Sequence, residues 1–181
     1  MHKNASISNW VFSNPIYDDL IIFKNLVFDP CQFKYSDPLI EKESSEYGAC
    51  ILEVNLLQAR FRVAKITPTK IGQFVTLWKR IGNGPIHPYD INDGIDLFII
   101  SVRKDDCLGQ FIFPKSILYK YGVLSLNDIG GKRAIRIYPP WDHTESKQAK
   151  TTQLWQLEYF LDISKDKPID YNRVKMLFGF E

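Results

Sequence analysis

The amino-acid sequence predicts an α/β fold with a mixed central sheet and helices on both of its faces. Segments with a helical repeat of apolar residues interleave along the chain with segments that carry strand patterns. A length of 181 residues suits one domain, and 45% apolar with 24% charged residues is ordinary globular composition. No repeat, low-complexity run or linker interrupts the chain, so residues 1–181 are predicted to form a single domain.

The N-terminal third predicts one helix followed by a pair of strands. Apolar residues recur at helical spacing through residues 15–28, and the dipeptide at 29–30, Asp-Pro, ends the pattern. Alternating residues then predict strands at 47–57 and 58–66. The short connection around residues 55–58 favours a hairpin between them.

The next segment predicts a helix from Pro68 or Thr69 to Arg80. Thr67 is a favourable N-cap with a proline at the first helical position, and a Gly-Asn-Gly-Pro sequence at residues 82–85 ends the helix. The apolar stripe of this helix follows the spacing i, i+3, i+4 and i+7: Ile71, Phe74, Val75 and Trp78.

The second half of the chain continues the alternation. Residues 96–102 are almost continuously apolar, which is typical of a central strand covered on both faces. The remaining predicted elements are a strand at 108–114, a short helix at 115–121 closed by Gly122, a strand at 133–138 and a long helix at 146–161.

The distribution of charge is the first indication of function. The net charge is only +2, but residues 54–89 contain six basic residues and no acidic residue. Residues 107–157 contain seven basic and three acidic residues, and an acidic stretch at 90–106 separates the two blocks. This pattern favours one positive face that binds a polyanion. The alternative is a solvated surface with uneven charge.

Two lysines in this block occupy unfavourable positions for a cation. Lys70 falls in the first turn of its predicted helix, where the helix dipole opposes positive charge, and Lys65 ends a strand face otherwise occupied by apolar residues. A phosphate bound at the helix start would explain both lysines. The alternative is that Lys65 pairs with Glu46 or Glu53 while Lys70 is solvated.

Further residues extend the predicted nucleic-acid-binding surface. Tyr138 and Trp141 lie in a stiff Tyr-Pro-Pro-Trp segment, where they either stack on exposed bases or pack down as a lid on the core. The remaining cations predicted to contact phosphates are Arg62, Lys79, Arg80, Arg133 and Arg136.

Most enzyme, metal and membrane signatures are missing from the sequence. It contains no GxSxG, P-loop or GxGxxG motif, its three histidines are far apart, and no zinc site is predicted. Its three cysteines predict reduced thiols, with a single reactive nucleophile as the alternative. We expect no cofactor, except Mg²⁺ held by Glu46, Glu53 or Asp96 in a nuclease. No signal peptide or spanning segment is found, so a cytoplasmic protein without a membrane partner is expected.

Four segments of the sequence resemble the MepB family of small bacterial proteins: ESSEYGACILEV, FRVAKITPTKIGQFVTLWKR, GQFIFPKSIL and GKRAIRIYPPWD. The resemblance spans residues 47–160 and implies a bacterial cytosolic protein, some of whose relatives are encoded beside a multidrug efflux pump and its repressor. It also implies a fold like that of the restriction-endonuclease-like (PD-(D/E)xK-type) nucleases. In that motif Lys65 occupies the lysine position, but Val63 occupies the position of the acid, so the motif is broken.

Three functional hypotheses follow from the sequence. The preferred one is a nucleic-acid-binding protein, for DNA or RNA, that contacts phosphates without catalysis. The second is a metal-dependent nuclease with a degenerate site, in which Lys65 acts with Glu46 and Glu53, the two carboxylates also holding the metal. The third is a regulatory protein partner linked to multidrug efflux operons, a hypothesis that depends on the family resemblance alone.

Overall fold

The computed structural model describes residues 10–179, which contain eleven strands and four α-helices. The strands are β1 (Leu39–Ile40), β2 (Cys50–Val54), β3 (Leu57–Val63), β4 (Lys65–Thr67), β5 (Lys70–Thr76), β6 (Trp78–Arg80), β7 (Ile86–Pro88), β8 (Leu97–Lys104), β9 (Cys107–Pro114), β10 (Ala134–Ile137) and β11 (Phe160–Asp162). The helices are α1 (Asp18–Phe23), continued by a π-helical segment at Lys24–Phe28, α2 (Lys115–Lys120), α3 (Lys147–Leu157) and α4 (Tyr171–Phe178). Short 3₁₀ helices occupy Pro15–Tyr17 and Ser45–Tyr47.

A six-stranded mixed sheet forms the centre of the fold, with the strand order β1-β2-β3-β8-β9-β11. Strands β3 and β8 pair in parallel, whereas the other neighbours pair antiparallel. Strand β8 is buried along its first six residues because both of its faces are covered, as its apolar run predicted. The predicted mixed α/β architecture is confirmed.

Each face of the central sheet packs against different elements. On one face, Phe23 of α1 and Phe178 of α4 belong to one hydrophobic cluster. On the other face, Leu118 of α2 and Trp155 of α3 join a second cluster with Val75 of the smaller sheet. Helices therefore cover both faces, as predicted, although the sequence pattern did not predict α4. None of the helices within residues 10–179 has the length and apolar character needed to cross a membrane.

The predicted helix at residues 68–80 is wrong, because this segment forms strands β5 and β6. Strand β5 pairs with β4 on one side and with β10 on the other, giving a second sheet with the order β10-β5-β4. Gln73 and Val75 are buried while Phe74 and Thr76 are half-buried, which is the alternation of a strand. No helix begins at Thr67, so the anion site predicted from a helix N-terminus does not exist.

Other boundaries follow the sequence more closely. Strand β9, helix α2 and strand β10 match their predicted segments within one or two residues. The hairpin between β2 and β3 turns at Asn55 and Leu56, which both have positive φ, as a two-residue hairpin turn requires. The predicted helix at 146–161 is too long. Helix α3 ends at Leu157, and the residues after it return to the central sheet as β11, paired with β9.

Candidate nucleic-acid interface

The exposed face of the three-stranded sheet carries a row of residues from all three strands. Lys65 of β4 lies opposite Phe74 of β5, and Phe74 lies opposite Arg136 of β10. Directly opposed residues in antiparallel strands project from the same face, so these three side chains are neighbours. We call this surface the outer face. The other face of the sheet buries Val75 and Ile137 in the core.

Lys65 is exposed and lies beside an aromatic pair. Its Nζ is 4.4 Å from the ring centroid of Tyr47, and the Tyr47 and Phe74 centroids are 6.3 Å apart. Within residues 10–179, Lys65 forms no ion pair, so the expected alternative of a pair with Glu46 or Glu53 is not found. Glu53 instead accepts a hydrogen bond from Gln58 Nε2 at 2.9 Å. A ring quadrupole attracts the ammonium group but leaves its charge unneutralised.

Arg136 fixes the β4–β5 hairpin to β10. Its Nη1 donates to the carbonyl oxygen of Gly72 at 3.0 Å, and its Nη2 donates to Thr67 Oγ1 at 2.9 Å. The guanidinium also lies 6.0 Å from the Phe74 ring centroid. All of these partners are neutral, and no ion pair engages Arg136 in the described part of the chain, so no acidic group compensates its positive charge.

Lys70 begins β5 at the end of the same hairpin. It is exposed and lies opposite Thr67, and its carbonyl oxygen is 3.5 Å from Arg136 Nη1. Among residues 10–179 it forms no ion pair. The structure thus places Lys65 beside Arg136 on the outer face, whereas Lys70 lies at the turn of the same hairpin and lines a groove with Asp142 and Glu145. A strand pair and not a helix start places them there.

Arg62, by contrast, is not on a binding surface. Its side chain is 1% exposed, and its Nη1 lies 2.7 Å from Glu41 Oε2 in a buried ion pair. Its Nη2 donates to the hydroxyl of Tyr89 at 3.0 Å. Burial in this cluster raises the pKa of Tyr89 and raises the pKa of the Cys50 thiol to about 12. The prediction that Arg62 contacts phosphate is wrong, because Glu41 already neutralises it inside the core.

Two further predicted cations are neutralised by acidic side chains. Lys79 forms a half-buried ion pair with Asp93. Arg80 pairs with Glu43, its Nε lying 2.9 Å from Oε1, and donates to the carbonyl oxygen of Gly84 at 2.7 Å. An acidic partner therefore offsets the charge of each side chain, and phosphate contact by Lys79 and Arg80 stays a prediction.

Arg133 remains available just before β10. Its Nε donates to the carbonyl oxygen of Ile86 at 3.0 Å, its side chain is exposed, and no ion pair engages it within the described residues. Because it lies three residues before Arg136 in an extended segment, its side chain does not share the outer face, and phosphate contact by Arg133 stays a prediction.

The two predicted stacking aromatics have different surroundings. Tyr138 follows β10, and its ring packs on Gly72, where an added Cβ would come within 2.6 Å of Tyr138 Cε1. Trp141 packs edge-on against Phe160 with ring centroids 5.6 Å apart, and it lies against the second core cluster. Trp141 thus packs against the core, as the lid alternative expects, and because it remains half-buried its stacking on bases stays a prediction.

The residues proposed for a degenerate nuclease site are not assembled. Glu53 lies opposite Gln58 near the start of β3, whereas Lys65 follows the other end of that strand. Seven residues at about 3.3 Å each separate them by roughly 20 Å. Glu46 is exposed in the 3₁₀ helix at Ser45–Tyr47, and Asp96 pairs with Lys115. Within residues 10–179, no group of three His, Cys, Asp or Glu residues is arranged to hold a metal. These residues do not fit a catalytic metal site.

Sequence reasoning missed the residue that supports β10 from outside the sheet. Gln156 of α3 is buried, and its Nε2 donates to the carbonyl oxygen of Arg136 at 2.9 Å. Its Oε1 accepts from the backbone N–H of Tyr138 at 2.8 Å. The amide side chain therefore fixes the strand segment that carries Arg136 and Tyr138. No sequence pattern distinguishes this glutamine from an exposed one.

Comparisons with known proteins agree with this architecture. The crystal structure of MepB superimposes with a TM-score of 0.70 at 33% sequence identity, covering 83% of this chain and 99% of that chain. A bacterial homing endonuclease, I-Ssp6803I, superimposes with a TM-score of 0.45 at 14% identity, covering 78% of this chain and 86% of its own. A likeness at that level supports no conclusion, so the restriction-endonuclease-like core stays a prediction.

The sequence comparison covers most of the same region. No curated protein matches the chain. A family model described as MepB-like matches residues 41–162, from the residue that pairs with Arg62 to the end of β11. This match covers more than half of the chain and includes the whole outer face. The chain belongs to the MepB-like family.

Proposed function

We propose that this protein binds nucleic acid on the outer face without cleaving it. The observation that carries the proposal is that Lys65 and Arg136 flank Phe74 on the outer face, with Lys70 at the turn of the same hairpin, and that none of the three forms an ion pair among the described residues. Cations held close together without counter-charges form a site for a polyanion, because a phosphate chain neutralises all of them at once.

The aromatic residues of the same surface suit bases as well as phosphates. Tyr47 and Phe74 lie between the cations, and Tyr138 lies over Gly72 at one end. Alternating cations and aromatic rings are typical of surfaces that track a nucleic-acid backbone while stacking on bases. Such contacts are tolerant of sequence, so we expect little base specificity.

The proposal excludes catalysis because the hypothetical nuclease residues are separated. Cleavage assisted by a metal needs carboxylates and a lysine around one phosphate. Glu53 of β2 lies opposite the start of β3, whereas Lys65 of β4 follows the end of β3. Val63, the last residue of β3, offers no carboxylate. The third hypothesis, a regulatory protein partner, stays a prediction that no contact in the structure tests.

A salt titration tests the proposal directly. Fluorescence anisotropy with labelled DNA and RNA should show affinity that falls as salt rises. The double variant Lys65→Ala/Lys70→Ala should reduce the slope of log K against log salt for duplex DNA by about 2, since each lost phosphate contact removes about 0.9.

The matched control is the double variant Lys34→Ala/Lys175→Ala. Both of these lysines are exposed, are absent from the ion pairs of the described chain, and lie away from the outer face. The control removes the same net charge, so its slope should stay at the wild-type value. Equal slopes in the two double variants would contradict a specific role for the outer face.

A further inference from the structure

A cavity of about 420 Å³ lies beside the outer face, between β10 and α3. Its volume is within the range of about 300–1,000 Å³ that is usual for small-molecule sites. Arg136 and Tyr138 line this cavity as well as belonging to the outer face. The two surfaces are therefore continuous, and a ligand on one reaches the other through these two side chains.

The charge of the cavity is entirely positive. Lys132 and Arg136 line it, although the Arg136 guanidinium itself donates to Gly72 and Thr67 on the side of β10 away from α3. None of the lining residues, all of them within residues 10–179, is acidic. Lys132 is exposed and forms no ion pair in the described part of the chain. This lining favours an anionic group such as a phosphate monoester or diester over a neutral ligand.

The walls of the cavity are aromatic and hydroxylated. Tyr121 and Trp155 lie in its lining as a parallel stacked pair with ring centroids 4.1 Å apart, and Tyr138 contributes a third ring. Thr152 and Gln148 of α3 also line it, and their side chains form no hydrogen bond with any described residue. Flat apolar surfaces with free polar groups suit a planar heterocycle that carries hydrogen-bonding edges.

We infer that this cavity binds one nucleoside monophosphate unit, with the phosphate at Lys132 and the base against the aromatic wall. The inference rests on the proposed function for the source of that unit, which is an unpaired nucleotide of a strand lying on the outer face. A paired base has to leave its stack at a cost of a few kcal/mol before it can enter such a pocket. The protein therefore prefers single-stranded nucleic acid to duplex.

The test compares a filled cavity with an open one. Ala149 of α3 lines the cavity, so Ala149→Phe places a ring in the ligand volume without removing a cation. The control is Leu154→Phe on the same helix, at an exposed position outside the cavity lining. Affinities are measured by titration calorimetry with adenosine monophosphate, adenosine and ribose 5-phosphate, and by anisotropy with a 12-nucleotide single strand and its duplex.

The wild type should bind the single strand at least ten-fold more tightly than the duplex, and should bind adenosine monophosphate more tightly than either of its fragments. Ala149→Phe should weaken the single strand and adenosine monophosphate at least ten-fold while leaving duplex affinity unchanged, and Leu154→Phe should change none of them. Should Ala149→Phe fail to fold, Lys132→Ala at its exposed site should produce the same selective loss.

The outcomes separate the two proposals. One outcome would overturn the cavity inference and leave the proposed function of the outer face intact. In that outcome both oligonucleotides bind with a salt dependence that Ala149→Phe does not change, and adenosine monophosphate does not bind. Binding of adenosine monophosphate without either oligonucleotide would support the cavity as a site for a free nucleotide and overturn the proposed function. Absence of all binding would overturn both.

Discussion

Arg62 and Arg136 are both strand arginines, but their surroundings give them opposite roles. Arg62 is enclosed by the core and shares its charge with Glu41. Arg136 lies on a half-buried strand position and donates only to neutral oxygen atoms. A cation is therefore a candidate ligand for phosphate only where the fold places no acidic side chain beside it. The same contrast separates Lys79 and Arg80 from Lys65 and Lys70.

The largest expected effect comes from disrupting the buried pair. Arg62→Met should lower the free energy of unfolding by about 3 kcal/mol, the lower end of the cost of breaking a buried pair, because Glu41 is 18% exposed and keeps Arg60 at 3.9 Å. Urea denaturation measures this loss. The double variant Arg62→Met/Glu41→Leu should recover only part of the stability, because it removes the carboxylate but leaves Arg60 without its acidic partner. A loss below about 1 kcal/mol in the single variant would show that Arg62 is not a structural arginine.

A second variant tests how the outer face is built. Gly72 has a φ of +82°, and a Cβ there would lie within 2.6 Å of the Tyr138 ring. Gly72→Ala should therefore cost about 2–3 kcal/mol, combining backbone strain with displacement of the ring. Gly82→Ala is the matched control, because Gly82 also has a positive φ but has open space at its Cβ.

Thermal and urea unfolding of the two glycine variants separate the two costs. Gly82→Ala reports the backbone strain without a clash, so the difference between the variants measures the crowding of Gly72 by the Tyr138 ring and the Ile137 carbonyl oxygen. Equal losses in the two variants would mean that Tyr138 moves freely and that Gly72 matters only for its conformation.

The cations that form ion pairs, Lys79 and Arg80, test whether such pairing prevents contact with phosphate. Lys79→Ala and Arg80→Ala should each change the salt slope of nucleic-acid binding by less than half of the value of about 0.9 expected for one phosphate contact. The reason is that Asp93 and Glu43 already neutralise these side chains. Anisotropy over a salt series, with Lys65→Ala run in parallel, measures the slopes. A slope change in Lys79→Ala as large as that of Lys65→Ala would remove the distinction between paired and unpaired cations.

The smallest expected effect concerns Asp142, beside the groove that contains Lys70. Burial raises the pKa of Asp142, and Lys104 at 3.6 Å opposes this only in part. A raised folded-state pKa gives stability that is complete below the unfolded pKa and is lost as the pH rises through the folded pKa. Asp142→Asn should therefore stabilise the protein at pH 7 by less than about 1 kcal/mol, and should give no gain at pH 3. Denaturation at the two pH values checks the sign, and stabilisation at pH 3 alone would reverse it.

The sequence predicted best those elements whose pattern has one interpretation. The apolar run of β8 allows only a strand covered on both faces, and the short helix α2 is bounded by Pro114 and Gly122. Residues 68–80 allowed two interpretations, because Ile71, Phe74, Val75 and Trp78 are spaced for a helix and yet rich in β-branched and aromatic residues. Pairing with the adjacent β4 on one side and with β10, about 60 residues away in sequence, on the other side decided for a strand.

The candidate site was predicted only in part, because the sequence does not show which residues pair with one another in space. The absence of acidic residues from residues 54–89 drew attention to Lys65 and Lys70, but it concealed the acidic neighbours of the other cations in space. Glu41, Glu43 and Asp93 flank this stretch in sequence and fold back onto four of its six cations. Charge counted along a chain omits such long-range pairs. The cavity beside β10 was equally invisible, since its lining comes from β10, from α3 and from the residues that follow α2.

The side chain of Gln156 has a consequence for association between molecules. Strand β10 is the last strand of its sheet, and a terminal strand with free peptide groups invites pairing with a strand of another copy. The side chain of Gln156 hydrogen-bonds to one carbonyl and one N–H group of this strand edge, so these two groups are not available to an incoming strand. One glutamine thus protects this border of the small sheet against edge-to-edge aggregation while leaving the cations beside it accessible.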